Sequence, residues 1–203
     1  MSDDLQRLRA EIDRLDEEVL QRLSRRAEIA HEIGRVKGGG VIYRPEREAQ
    51  VLRRITGLNG GPLDDGTIWR IFREIMSACL ALEQPLRIAY FGPEGTFTES
   101  AAKKHFGSAP NFTAMATIDE VFRAVESGHA DYGVVPVENS TEGAVGRTLD
   151  LLLQMPISIC GEVMLRIHQH LLSKADRLEN VKRLYSHSQS LAQCHEWLNR
   201  NLP

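Results

Sequence analysis

Arg26 and Lys37 lie eleven residues apart, a spacing that on a helix turns them only ~20° from one another and separates them by ~16 Å. Arg26 also stands three residues before Ile29 and seven before Ile33, so the cationic pair prolongs an apolar stripe. Arg47 and Glu48 precede Val51 and Leu52 by one turn, and Glu83 follows Met76 by seven residues and Phe72 by eleven. Three cations and two carboxylates are thereby directed at one face of a helical bundle. Charged side chains are seldom buried without partners, so two readings stand: interhelical salt bridges and snorkelling stems, or a binding site. An interior lined with cations suits a small dianion, because arginine clamps carboxylates bidentately. Lys37 is the only lysine before residue 85, among 13 arginines. Arg9 lies ~25 Å along the helix from Arg26, too far for one small ligand to touch both within a chain. An antiparallel partner helix would carry a second Arg9 across.

The element that positions Arg9, Arg26 and Lys37 is set by Leu5, Leu8, Ile12, Leu15 and Val19, which repeat at steps of three and four. The stripe continues through Arg22, Arg26, Ile29, Ile33 and Lys37 until Gly38-Gly39-Gly40 stops it. A helix of ~34 residues and ~50 Å follows, too long for the core of an 85-residue monomer, and it predicts a partner. A second helix starts at Pro45 and runs to the Gly57/Gly60/Gly61 cluster. A third, capped near Asp65 or Thr67, carries Ile68, Ile71, Phe72, Ile75, Met76, Cys79 and Leu80 on one face and ends before Pro85.

Beyond Pro85 short apolar runs replace long stripes. Residues 86–91, 112–116 and 132–137 read as buried strands, and 100–106, 118–127, 146–154 and 190–199 as helices. Residues 157–159 and 163–172 read as extended, and 183–185 as a further strand. Such alternation predicts a parallel or mixed sheet with helices on both faces. The boundaries are 1–84 for the all-helical domain and 85–203 for the α/β domain. Three polar loops follow strands: Gly92-Pro93-Glu94-Gly95-Thr96, Pro136 to Gly143, and Ser186-His187-Ser188-Gln189. They would meet at the strand-end edge where open sheets bind ligands, and free N–H groups at helix starts there accept carboxylates. No Gly-Lys-Ser/Thr follows the first loop, so it is not a nucleotide-phosphate loop. His168, His170 and His187, even with Cys194, lack the carboxylate spacing of a metal site and read as structural histidines.

Composition narrows the classes further. Of 203 residues, 42% are hydrophobic, and the formal charge is -3. The part through Pro85 carries 14 basic and 15 acidic residues and the rest 11 and 13, so neither has the excess a nucleic-acid partner needs. No apolar run reaches the ~20 residues of a membrane helix. The N-terminus is too charged for a secretory signal. Cys79, Cys160 and Cys194 form neither a disulfide framework nor a C-x-x-C site, as expected in the reducing cytoplasm.

The segments L-R-A-E-I-D-R-L-D-E-E-V-L, S-R-R-A-E-I-A-H-E-I-G-R-V-K and Y-R-P-E-R-E-A-Q-V-L resemble the all-helical chorismate mutase family over residues 4–84. The resemblance implies a homodimer with shared sites, in which Arg9 is given to the partner's site while Arg26, Lys37, Arg47 and Glu48 line the home site. Cys79 stands where some members carry Ser, and Glu83 where many carry Gln. The implied reaction, chorismate to prephenate, requires no cofactor. It requires a compact substrate conformer and stabilisation of charge on the breaking ether oxygen, by Lys37 and a protonated Glu83.

In the second half, A-Y-F-G-P-E-G-T-F-T-E-S-A-A, V-V-P-V-E-N-S-T-E-G-A-V and Y-S-H-S-Q-S-L-A-Q-C resemble prephenate dehydratase, a two-lobed domain similar to type 2 periplasmic binding proteins. Glu138, Asn139, Ser140, Ser186 and Gln193 match that family's pocket positions, Thr96 its first loop, and Ser188 replaces the usual Pro. The family's Thr-Arg-Phe segment does not occur here. The resemblance therefore implies an incomplete second lobe with impaired dehydration, at the front of a longer protein joining both activities in phenylalanine synthesis. The reading from a different class is a small-carboxylate binding module with a helical dimerisation arm.

Overall fold

The computed structural model describes residues 2–37, 43–139 and 143–202. Its first helix, α1 (Ser2–Lys37), is 36 residues long, roughly 54 Å, and carries Asp3 and Asp4 in the first turn, where the helix dipole favours negative charge. Its stripe is uncovered: Leu5, Leu8, Ile12, Leu15 and Val19 are between 48% and 57% exposed. α2 (Pro45–Gly57) begins with the proline whose missing N–H has no helical partner to lose, and it buries Leu52. α3 (Asp65–Ala81) packs on both α1 and α2. The side chain of Asp64 caps α3, accepting from the Thr67 N–H at 2.9 Å and its hydroxyl at 2.7 Å. Because α3 ends at Ala81, Glu83 lies in the following turn rather than on the helix face.

The second unit is built on a parallel sheet of order β2-β1-β3, from β1 (Arg87–Phe91), β2 (Asn111–Met115) and β3 (Tyr132–Val134). Side chains alternate across β1. Ile88 and Tyr90 pack with Ala102 and Phe106 of α4 (Phe97–Phe106), while Ala89 packs with Val121 and Ala124 of α5 (Ile118–Glu126) on the other face. Both helices open on T-x-x-E. Thr96 and Thr117 accept from the Glu99 and Glu120 N–H groups, and those glutamates reach back to the N–H groups of Gly95 and Ala116. β4 (Glu138–Asn139) pairs with β5 (Gly143–Ala144). α6 (Gly146–Gln154) is tied to α5 by the Arg147–Asp119 ion pair, and the Thr148 hydroxyl donates to the Pro136 carbonyl at 2.7 Å. α7 (Ser188–Gln193) and α8 (His195–Asn201) follow.

Three expectations differ. The strand expected at 132–137 stops at Val134, ahead of Pro136, which has no N–H for a ladder. The segments 157–159, 163–172 and 183–185 join no ladder, and among the described residues 156–187 hold one short 3-10 turn, Leu178–Asn180. The final helix is broken at Cys194 (φ -98, ψ 3) into α7 and α8. Among the described residues no helix is long and apolar enough to cross a membrane.

The sequence changes abruptly at Gln84-Pro85, yet the two units are packed together. The last carbonyls of α4 have no partner within their own helix, and α3 supplies them: the Ser77 hydroxyl donates to the Phe106 carbonyl at 2.8 Å and the Arg73 guanidinium to that of Lys104. A cation there also suits the negative end of the helix dipole. Glu74 accepts from the N–H and hydroxyl of Ser108. Gly107 adopts φ +75, and a β-carbon on it would fall 2.5 Å from Ser77 Cβ. Tyr43, 5% exposed, sets its ring 5.4 Å from those of Phe106 and Tyr132.

Candidate active sites

In the helical unit, Arg9 is exposed on α1, Arg26 is half-buried further along it, and Lys37 is its last residue. Gly34, one turn before Lys37, faces the α3 end so closely that a β-carbon on it would lie 2.7 Å from Glu83 Cγ. This contact brings Glu83 to the closing turn of α1. Cys79 is buried on α3.

Arg47 is exposed, whereas Glu48 is turned inward. The Glu48 carboxylate meets Arg73 of α3 at 3.0 Å, the two side chains being 13% and 11% exposed. Burial pushes the Glu48 carboxyl above the ordinary range, while the charge and hydrogen bond of Arg73 and a hydrogen bond from Tyr43 pull it down. Arg73 itself lies over Trp69, its Cζ 3.7 Å from the ring centroid. Glu48 is thus engaged by Arg73 rather than by Arg26 or Arg47. Sequence reasoning missed Arg73 and Tyr43. The available signal was the placing of Trp69, Arg73 and Ser77 at i, i+4 and i+8 on one α3 face.

In the α/β unit, Thr96 caps α4 and also donates its hydroxyl to the Phe91 carbonyl at 3.4 Å. Glu138 is exposed and Asn139 half-buried, both on β4, and Ser140 lies outside the described residues. Gln193, at the end of α7, donates its amide to Asn139 Oδ1 at 3.4 Å and accepts from Gln169 at 3.2 Å. Two of the expected pocket residues are therefore in contact, and Gln169 joins them unforeseen. Ser186 is exposed.

Residues 88–203, more than half of the chain, match the family model for prephenate dehydratase, and residues 8–84 match that for chorismate mutase type II. A bifunctional chorismate mutase/prephenate dehydratase from Pseudomonas aeruginosa is 58% identical, the match taking in 99% of this chain and 57% of the relative. Proteins of the same description from Aquifex aeolicus and Escherichia coli are 47% and 35% identical, with 99% and 95% of this chain and 57% and 55% of theirs covered. The chain spans little more than half the length of these curated relatives. A solved chorismate mutase from Thermus thermophilus is 43% identical over 39% of this chain and 93% of its own, at a TM-score of 0.38. The chain belongs to the prephenate dehydratase family, its α/β unit following a helical unit of the chorismate mutase type II family.

Proposed function

We propose that residues 1–84 form a mutase that rearranges chorismate to prephenate, and that residues 85–203 form part of a domain that takes prephenate to phenylpyruvate, in phenylalanine synthesis in the cytoplasm. The observation that carries the mutase reading is the close approach of Glu83 to Gly34, which sets the end of α3 beside the turn that holds Lys37. A [3,3] rearrangement uses no nucleophile or metal. Its barrier falls when the two carboxylates are clamped so that the reacting carbons meet, and when donors face the ether oxygen as charge builds there. Arg26, Arg47 and the partner's Arg9 are the clamps, Lys37 and Glu83 the donors, and Glu48 and Cys79 complete the lining. The uncovered α1 stripe supports a homodimer in which a partner helix covers it and delivers Arg9.

For prephenate, the pocket is assigned to Thr96, Glu138, Asn139, Ser140, Ser186 and Gln193, in a domain of the two-lobed type 2 periplasmic binding protein kind. The Gln193–Asn139 contact supports it by joining the β4 loop to α7. Incubating the purified chain with chorismate tests the mutase: chorismate should disappear and prephenate form in equal amount. Glu83→Gln should retain turnover because it keeps a donor, and Glu83→Ala should lose it. A folded chain without turnover overturns the reading.

A further inference from the structure

The last turn of α3, Ala78-Cys79-Leu80-Ala81, carries no basic residue, although Lys, Arg or His there would offset the helix dipole and bond the final carbonyls. α1 supplies the donor instead. His31 Nδ1 meets the carbonyl of Leu82, the residue that caps α3, at 3.4 Å. A carbonyl only accepts, so the ring donates and carries its hydrogen on Nδ1. One turn along α1, Gly34 receives the next residue: a β-carbon there would lie 2.7 Å from Glu83 Cγ and 3.1 Å from Glu83 Cβ. Those atoms stand near the backbone, so a larger residue at 34 could not be met by swinging the far end of the side chain. The Glu83 and Gln84 N–H groups both turn back to the Leu80 carbonyl. Leu82 and Glu83 are thus held at two points of α1 one helical turn apart. A lone hydrogen bond sets a distance; joined to the contact at Gly34, it also sets the direction in which Glu83 leaves the turn.

We propose that His31 is a positioning residue for the mutase reaction: by holding the Leu82 carbonyl it seats Glu83 against Gly34, beside the turn of α1 that ends in Lys37. The proposal rests on the reading of Glu83 as a donor to the ether oxygen. Such a donor acts as charge builds on that oxygen, so its placing governs the chemical step more than the affinity for substrate. A misplacement of about 1 Å can cost up to ~100-fold in rate, and Glu83 stands beyond the last helical residue of α3, Ala81, where the chain depends on what α1 offers it. His31 acts through Glu83 rather than on the substrate.

The test is chorismate turnover by the 203-residue chain and its His31→Ala, His31→Asn and Gly34→Ala variants, each shown to be folded by circular dichroism. His31→Ala removes the donor without harming the helix, and should lower kcat about tenfold with KM within about twofold of the parent. Asn places its amide nitrogen where the ring carried Nδ1, so His31→Asn should restore kcat to within about twofold. Gly34→Ala keeps His31 but pushes Glu83 off its seat, and should lose kcat in the same pattern. Position is read without turnover by pairing Gly34→Cys with Glu83→Cys, whose β-carbons would stand near the separation a disulfide spans. Mass spectrometry should find that bridge; His31→Ala should slow its formation, and His31→Asn should not. An unmoved kcat in His31→Ala, a loss carried by KM alone, or a bridge that still forms at the parent rate overturns the proposal and leaves the mutase reading intact. Absence of turnover in the unaltered folded chain overturns the mutase reading, and with it the part given to His31.

Discussion

The Ser77 hydroxyl donates to the Phe106 carbonyl at 2.8 Å, at a point where the next residue, Gly107, leaves no room for a β-carbon. Ser77→Ala should cost about 1–2 kcal/mol, because a buried carbonyl loses its side-chain donor. Gly107→Ala should cost more, since it adds strain at φ +75 to a clash with Ser77. Urea denaturation of both variants measures the order, and a Gly107→Ala chain as stable as the parent would show that the seam is loose.

If the mutase sites are shared, mixing Arg9→Ala with Lys37→Ala chains should restore activity. In the heterodimer one site receives both an intact Arg9 and an intact Lys37, and the other neither. Turnover should therefore recover with subunit exchange, to about half that of the parent per heterodimer. No recovery after exchange is confirmed by mass spectrometry argues for sites contained in single chains.

His105 makes the seam sensitive to mild acid. Burial first, and then the charge of Arg73, lower its pKa below the ordinary value of ~6.5. As pH falls, the unfolded chain therefore takes up this proton before the folded one does. The stability His105 contributes is complete above ~6.5 and is lost as pH drops from there through the native value, at no more than ~1.4 kcal/mol per unit. The urea midpoint should fall between about pH 7.5 and about pH 5.5, and by less in His105→Gln. Equal slopes for the two proteins would remove His105 as the cause.

Gln193 and Asn139 are separated by 54 residues yet hydrogen-bonded. If they line one prephenate pocket, Gln193→Ala and Asn139→Ala should each weaken prephenate binding, and the double variant should lose less than the sum, by about 0.5–1 kcal/mol. Isothermal titration with prephenate gives all four affinities. Strict additivity would separate the two residues functionally.

The helices were legible because their signal is local. The stripe from Leu5 to Lys37 and Pro45 at a helix start each announce an element within one or two turns of chain, whereas the Thr96 cap went unread and α4 begins at Phe97, ahead of the expected 100. The three core strands were legible for a similar reason, as short apolar runs cut by Gly or Pro. A strand, however, is defined by its ladder partner, so residues 163–172 could read as extended without belonging to a sheet. The pairing of the candidate site residues was not legible. Glu48 stood out as a carboxylate on an apolar face, but its partner Arg73 lies 25 residues on, and their meeting depends on how α2, α3 and α4 pack.

Because Ser77, Arg73, Glu74 and Tyr43 grip α4 and the turn after it, the peptide link at Gln84-Pro85 is not what keeps the halves together. A cut there would leave a nicked complex rather than two free pieces. Each piece made alone would bare the surface meant for the other, with Tyr43 on one side and Phe106 on the other, and would regain order when they are mixed. Fusion at this junction has become a matter of mutual cover, so neither half can be exchanged for a relative's without matching the grip.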